Sequence, residues 1–246
     1  MEKIAVVTGA SSGIGAEIAR GLARADWRCV LIARREDRLR ALAEETGGEI
    51  EVCDVADRAA VEATAARVLE RHPQIGLLVN NAGIAGRASF LDADPSVIEE
   101  VIRVNYLGGI WVLRAFLPGL RAAAPSDVVN IVSVSGVVAG PPSGPYSASK
   151  HAQLAFSRTV AAELRPEGIR VHTVKPGLIV CTRMPRRRSW TAVAREKASC
   201  ACFDAEYGPE GGNATSPATE TMLTTSEGAA ATSPGRKARR HHTPPR

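Results

Sequence analysis

Up to about residue 180, short and nearly continuous apolar runs alternate with longer stretches of helical periodicity, and that alternation is the tightest constraint on the fold. The β-rich runs lie at 4–10, 29–34, 49–55, 75–83, 127–136 and 169–177. Helical patterns occupy 14–25, the Arg/Glu-rich stretch ending at Glu45, 58–71, 96–120 and 146–164. A strand that is apolar on both sides must be covered on both faces, and helical crossovers return the chain in the same direction. The pattern therefore predicts a single doubly wound parallel α/β sheet with helices on both faces.

Two local motifs carry chemistry. The first apolar run ends in Thr8-Gly9-Ala10-Ser11-Ser12-Gly13-Ile14-Gly15, and a helical pattern follows at once. Glycines at such a turn let a pyrophosphate approach backbone N–H groups at the start of the helix, which predicts cofactor contacts from Gly9, Ser11, Ser12, Gly13, Ile14 and Gly15. The alternative is a plain Gly-rich turn. The second motif is Tyr146 and Lys150 in PYSASK, with Ser133 upstream. Residues four apart leave one face of a helix, and an ammonium beside a phenol favours the phenolate. The pair is a candidate proton donor and acceptor for general acid–base chemistry.

Composition narrows the class. At 246 residues, 45% apolar and 23% charged, the chain is long enough for one large α/β domain. No run approaches the length of a membrane span, and the start of the chain lacks a cleavable leader pattern, so a cytoplasmic protein without membrane contact is expected. The cysteines Cys29, Cys53, Cys181, Cys200 and Cys202 show no metal-ligand spacing, and the first two sit in strand-like runs as small buried thiols. His72, His151, His172, His241 and His242 also lack partners at ligand spacing, so no metal is expected.

TGASSGIG, Asn80-Asn81-Ala82-Gly83, Asn105, Ser133, Tyr146-Ser-Ala-Ser-Lys150 and Pro176-Gly177 occur in the order and spacing of the short-chain dehydrogenase/reductase family, which the chain resembles over roughly residues 3–182. That resemblance implies a Rossmann-type domain over 1–185 and an enzyme moving a hydride between NAD(P) and a carbonyl or secondary-alcohol substrate. It also implies the site roles. Tyr146 would exchange the proton, Lys150 would lower its pKa and bind the nicotinamide ribose, and Ser133 would polarise the carbonyl. Asn105 would hold a water linking Lys150 to solvent. Asp54 and the Val55 backbone would meet the adenine, and Asn81, Ala82 and Gly83 its ribose. Pro176, Gly177, Ile179 and Thr182 would meet the nicotinamide and pyrophosphate. A homodimer or tetramer through helices 96–120 and 146–164 is implied as well. Ser135, a second nearby hydroxyl, is read as a strand-end hydrogen-bonding group.

The end of the second strand bears on which cofactor is used. An NAD enzyme places a carboxylate there for the ribose 2′-hydroxyl. Here Ala33 stands at that place, followed by Arg34 and Arg35, and a guanidinium suits a 2′-phosphate. NADP is favoured over NAD, with Ser11 adding a hydroxyl; the alternative is that both arginines begin a solvated helix face.

Beyond about residue 185 the pattern ends. Residues 1–182 hold twenty basic and twenty acidic side chains, whereas 183–246 hold eleven and six, so the tail carries the whole net charge of +5. A short helix is conceivable over 190–203, and the Gly/Ser/Thr/Ala/Pro-rich remainder is expected to be disordered. Its basic clusters, Arg186–Arg188 and 236–240, lack accompanying aromatics, which argues against a nucleic-acid partner. Nothing after Pro185 resembles the family's last strand, so that strand is expected to be missing. The tail is either a divergent extension or out-of-frame translation. A cofactor-binding protein with little turnover, or an unstable product, are the alternatives to an active enzyme.

Overall fold

A computed structural model describes residues 2–85, 91 and 93–177. The predicted tail, the possible 190–203 helix, Cys181, Cys200, Cys202, Ile179 and Thr182 lie outside the described residues. Six strands form one sheet: β1 (Lys3–Thr8), β2 (Trp27–Ala33), β3 (Glu49–Val52), β4 (Leu77–Asn80), β5 (Ser126–Ile131) and β6 (Ile169–Val174). Every pairing is parallel, and the order is β3-β2-β1-β4-β5-β6. This is the doubly wound arrangement expected from the alternation, with the reversal of strand order between β1 and β4. Among the described residues β6 stands at one edge.

The strands alternate their side chains between two apolar layers. Ile4 and Val6 of β1, and Val30 and Ile32 of β2, join a core with Val61 and Val68 of α3 (Arg58–Arg71), Phe116 and Leu120 of α5 (Gly108–Ala122) and Val160 of α6 (Gly144–Leu164). Ala5, Val7, Cys29, Leu31 and Ala33 face the other way, onto Ala16 and Ala19 of α1 (Gly13–Ala23) and Leu39 and Leu42 of α2 (Glu36–Thr46). Helices therefore cover both faces, which explains why β1 and β2 are apolar without interruption. Local signals fix the helix ends: Asp57 accepts from the Ala60 N–H to start α3, and Asp94 accepts from the Ser96 N–H to start α4 (Pro95–Ile102). Gly47, at φ +69°, ends α2 in the left-handed conformation.

The structure differs from the periodicity in several places. The helix expected over 96–120 is α4 and α5 joined by a π-helical turn, Arg103–Leu107, which contains Asn105. Asn105 spends its amide on the backbone of Ile84 in a different segment, and single π-turns of this kind accompany such demands. The fourth strand stops at Asn80 rather than 83, because Thr8 Oγ1 accepts the N–H groups of both Asn81 and Ala82 and so replaces a strand neighbour. The fifth stops at Ile131 and turns through a short 3-10 segment at Val134–Gly136, where the Ser135 N–H donates to Ser133 Oγ. Strand three likewise ends at Val52, short of the predicted Val55.

Candidate active site

The carboxyl ends of the strands open into a cleft of about 850 Å³. Its walls come from every part of the sheet: Gly9 after β1, Ala33 to Arg35 after β2, Cys53 to Val55 after β3, Asn81 to Ala85 after β4, Ile131 to Ser135 after β5, and Pro176 and Gly177 after β6. Ser11, Ser12, Ile14, Tyr146 and Lys150 complete the part that concerns chemistry. Of the residues predicted from sequence, Gly13, Gly15 and Asn105 do not line this cleft but support it.

At one side the Gly-rich turn packs directly against the segment after β4. Asn81 Nδ2 donates to the carbonyls of Thr8 (2.9 Å) and Gly9 (3.3 Å). A Cβ on Gly15 would collide with Asn81 Nδ2 and lie 2.5 Å from the Gly9 carbonyl oxygen, so only glycine allows this approach. Gly13 has φ +58°, and a Cβ there would meet nothing within 4 Å. No side chain caps the start of α1, so its first-turn N–H groups remain available to an anion. Arg35 reaches across from the end of β2, donating to Ser11 Oγ (2.9 Å) and Ser12 Oγ (2.7 Å). Arg34 turns instead toward Asp54 Oδ2 at 3.5 Å, while Asp54 Oδ1 accepts from the Ala56 N–H. The two arginines thus part company: Arg35 joins the loop hydroxyls, and Arg34 sits beside the carboxylate expected near adenine. A tight glycine turn with an uncapped helix and a guanidinium held, among the described residues, by hydroxyls fits the phosphates of an NADP-type dinucleotide.

At the other side α6 carries Tyr146 in its first turn and Lys150 one turn on. Tyr146 is half-buried, and Lys150 Nζ lies 5.9 Å from its ring centroid. Lys150 is only 4% exposed. Its Nζ donates to the Ile131 carbonyl (3.1 Å) and to Gln153 Oε1 (2.9 Å). Burial pulls its pKa down to about 8. Ser133 Oγ accepts from the Ser135 N–H, which leaves its own hydroxyl proton to be donated. Asn105 is buried; Oδ1 accepts from the Ile84 N–H (2.7 Å), and Nδ2 donates to the Ile84 carbonyl (3.0 Å) and Ser149 Oγ (3.1 Å). Asn105 therefore clamps the segment beside Gly83, and one lone pair of Oδ1 is its remaining side-chain capacity. The Pro176 carbonyl accepts from the Val134 N–H, tying the segment after β6 to the end of β5.

Sequence reasoning missed Thr8, Ser149 and Gln153. Gln153 sits three residues after Lys150, a spacing that could have flagged it; the other two are set by tertiary packing. Cys29 and Cys53 are buried free thiols, and burial pushes the Cys29 thiol up to about 11. His72 and His172 pair with Glu49 and Asp127, and His151 with the Ser147 carbonyl. Among the described residues no cluster of three or more His, Cys, Asp or Glu side chains is arranged to hold a metal.

A crevice at the strand-order reversal of a parallel sheet, with a glycine turn leading into a helix, defines a dinucleotide-binding α/β protein. The chain belongs to the short chain dehydrogenase family, whose sequence pattern matches residues 3–192. It is 34% identical over 189 residues to "Dehydrogenase/reductase SDR family member 7B" of Danio rerio, a match covering 72% of this chain and 61% of the relative. The chain thus spans about three-fifths of that relative's length. Among solved structures it is similar to an alcohol dehydrogenase from the archaeon Thermococcus sibiricus complexed with 5-hydroxy-NADP, with TM-score 0.68, 34% identity, and 73% and 77% of the two chains covered. A metagenomic short-chain oxidoreductase in complex with NADP gives TM-score 0.67 and 38% identity, with 72% and 83% covered.

Proposed function

We propose that this chain is an NADP(H)-dependent oxidoreductase interconverting a carbonyl compound and a secondary alcohol, with Tyr146 as the proton donor and acceptor. The observation that carries the reading is one cleft whose walls include both the Arg35–Ser11–Ser12 group and the Tyr146–Lys150–Ser133 group. The ends of β2 and β5 are three strand spacings apart, roughly 14 Å, so one ligand that touches both must be long. The two solved relatives bound to NADP-type ligands support the same cofactor.

Bound NADP(H) supplies or accepts the hydride. The residues do the rest. Arg35, with Ser11 and Ser12, binds the 2′-phosphate, and the α1 N-terminus with Gly9, Gly13, Ile14 and Gly15 holds the pyrophosphate. Arg34, Asp54 and Val55 flank the adenine; Asn81, Ala82 and Gly83 flank its ribose; Pro176 and Gly177, with Ile179 and Thr182 beyond the described residues, serve the nicotinamide side. Ser133 donates its free hydroxyl proton to the substrate oxygen and orients it. Tyr146 gives that oxygen its proton during reduction and takes it during oxidation. Lys150 lines the cleft with one ammonium N–H left over from its two hydrogen bonds, and its charge favours the phenolate that forms. A water on Asn105 would use the one Oδ1 lone pair left by the Ile84 clamp. The α4–α5 and α6 helices are proposed as the faces of a homodimer or tetramer. A cytoplasmic location is proposed from the buried free thiols; among the described residues no helix is long and apolar enough to cross a membrane.

The test combines binding with turnover. NADPH should raise the melting temperature more than NADH at equal concentration, and a carbonyl panel should reveal NADPH oxidation. Tyr146→Phe is expected to lower turnover by roughly 10²–10⁴-fold while NADPH binding persists. Full turnover by that variant would remove Tyr146 from the mechanism. Binding by the unmodified chain without turnover of any carbonyl would favour a cofactor-binding protein instead.

A further inference from the structure

Lys150 is the one cation of the proton group, and its hydrogen-bond partners among the described residues are neutral. The Ile131 carbonyl meets it from the end of β5, and Gln153 meets it from its own helix. Tyr146 lies one turn back on that helix. From the segment after β4 comes Gly83, whose added Cβ would lie 3.7 Å from Lys150 Nζ and 3.3 Å from Asn105 Oδ1 of the π-turn. Burial lowers its pKa, and among the described residues no charged side chain hydrogen-bonds to it. The ammonium is therefore maintained by hydrogen bonds to two uncharged acceptors.

We propose that Gln153 is a positioning residue for the reaction: its amide oxygen holds Lys150 Nζ at the cleft and helps keep it protonated. The proposal rests on the Tyr146–Lys150 reading above. An ammonium only donates, so the glutamine must present Oε1 to it and turn Nε2 the other way. Gln153 also lines a small cavity of about 10 Å³ together with Asn80. Asn80 Oδ1 is a buried acceptor without a hydrogen-bond partner among the described residues, so an unused acceptor and the glutamine side chain border the same space. The glutamine backbone is held as well. Its carbonyl accepts from Ser157 Oγ (2.7 Å), Ser157 Oγ accepts from Asn130 Nδ2 (2.9 Å), and Asn130 Oδ1 accepts from Asn80 Nδ2 (3.1 Å). All four polar side chains are buried. A polar chain from β4 and β5 thus ends on the lysine's partner. An apolar residue at this position would leave Lys150 the Ile131 carbonyl as its one acceptor among the described residues.

The test follows the lysine directly in the full-length protein. The chain contains five lysines, so side-chain NMR with isotope-labelled lysine can follow Lys150 alone once its signal is assigned by loss in Lys150→Arg. The titration midpoint should lie at about 8 in the unmodified protein. Gln153→Glu keeps the shape and adds a charge, and should raise the midpoint by at least about one pH unit. Gln153→Leu removes the acceptor and should lower it. The upper pH limit of carbonyl reduction should move in the same order. Coincident midpoints in all three proteins would overturn the proposal, and if Gln153→Leu fails to fold, an unmoved midpoint in Gln153→Glu does so alone. Midpoints that move while the pH limit of reduction stays fixed would overturn the role in the reaction and count against Lys150 acting with Tyr146, leaving Gln153 a partner of the ammonium alone.

Discussion

The β2 side of the cleft and the α6 side handle charge in opposite ways. At the β2 side Arg34 and Arg35 are exposed, and Arg35 is held by two serine hydroxyls and by no carboxylate among the described residues. Such guanidiniums keep their hydration, cost little to place, and act through a field that salt screens. At the α6 side Lys150 is 4% exposed, and its partners are a backbone carbonyl and an amide. That arrangement carries a desolvation cost and shifts a pKa, but it is shielded from ions in solution. The difference separates recognition from chemistry: an exposed cation suits a charged ligand that arrives and leaves, and a buried one suits a proton whose affinity must be set.

The sharpest way to break this contrast is through pH and stability. The folded-state pKa of Lys150 lies at about 8 against 10.5 without the fold. Between those values the unfolded chain binds more protons, so the penalty of burying the ammonium is fully present below about pH 8 and disappears as pH rises toward the unfolded value. Relative to Lys150→Met, the unmodified protein should therefore gain about 3 kcal/mol of stability between neutral pH and the unfolded pKa, at roughly 1.4 kcal/mol for each pH unit of displacement. Urea unfolding of both proteins across that range measures it. A constant difference between them would mean that Lys150 is solvated like the arginines opposite.

A smaller effect tests the seam between the two sides. Gly15 lies against Asn81 and the Gly9 carbonyl, so a methyl group must push the cofactor turn away from the segment after β4. Gly15→Ala should cost roughly 1–3 kcal/mol of stability and weaken NADPH binding. Unfolding and binding curves with unchanged midpoints would show that the turn gives way freely and that the seam is not tight.

The sides also differ in how much of them the sequence reveals. The sheet, its parallel sense and the glycine turn were readable because each depends on local period or spacing: apolar runs for β1 and β2, and Gly9 to Gly15 ahead of α1. Tyr146 and Lys150 were readable for the same reason, being one helical turn apart. What local pattern does not encode is the partner across the fold. Asn105 reaches Ile84, twenty-one residues away, and Thr8 reaches Asn81 and Ala82, more than seventy away. Those contacts accompany the π-turn and the short β4, and neither feature shows in hydrophobic period. Arg34 and Arg35 were read as a pair because they are adjacent. Only the fold sends one to Asp54 and the other to the serines.

That divergence gives the last and smallest prediction, which concerns Arg35 alone. Its Nη2 lies 2.7 Å from Ser12 Oγ and 2.9 Å from Ser11 Oγ, at the turn proposed to hold phosphate. A 2′-phosphate arriving there replaces neutral hydroxyl acceptors with an anion, and hydrogen bonds between charged groups are worth more than those to neutral ones. Arg35→Ala should therefore weaken NADPH about tenfold or somewhat more, the lower range for a charge-assisted hydrogen bond, and leave NADH nearly unchanged. Because the guanidinium is exposed, the NADPH loss should shrink as salt rises and the Debye length contracts from about 10 Å at 0.1 M toward about 3 Å at 1 M. Calorimetric titration of both nucleotides at low and high salt reads all of this. Arg34→Ala is the control, since Asp54 already engages that guanidinium, and its effect on NADPH should be the smaller. Equal losses of NADPH and NADH in Arg35→Ala would assign Arg35 to the pyrophosphate rather than the 2′-phosphate. A salt-independent loss would show that the β2 side, like the α6 side, works from beneath the surface.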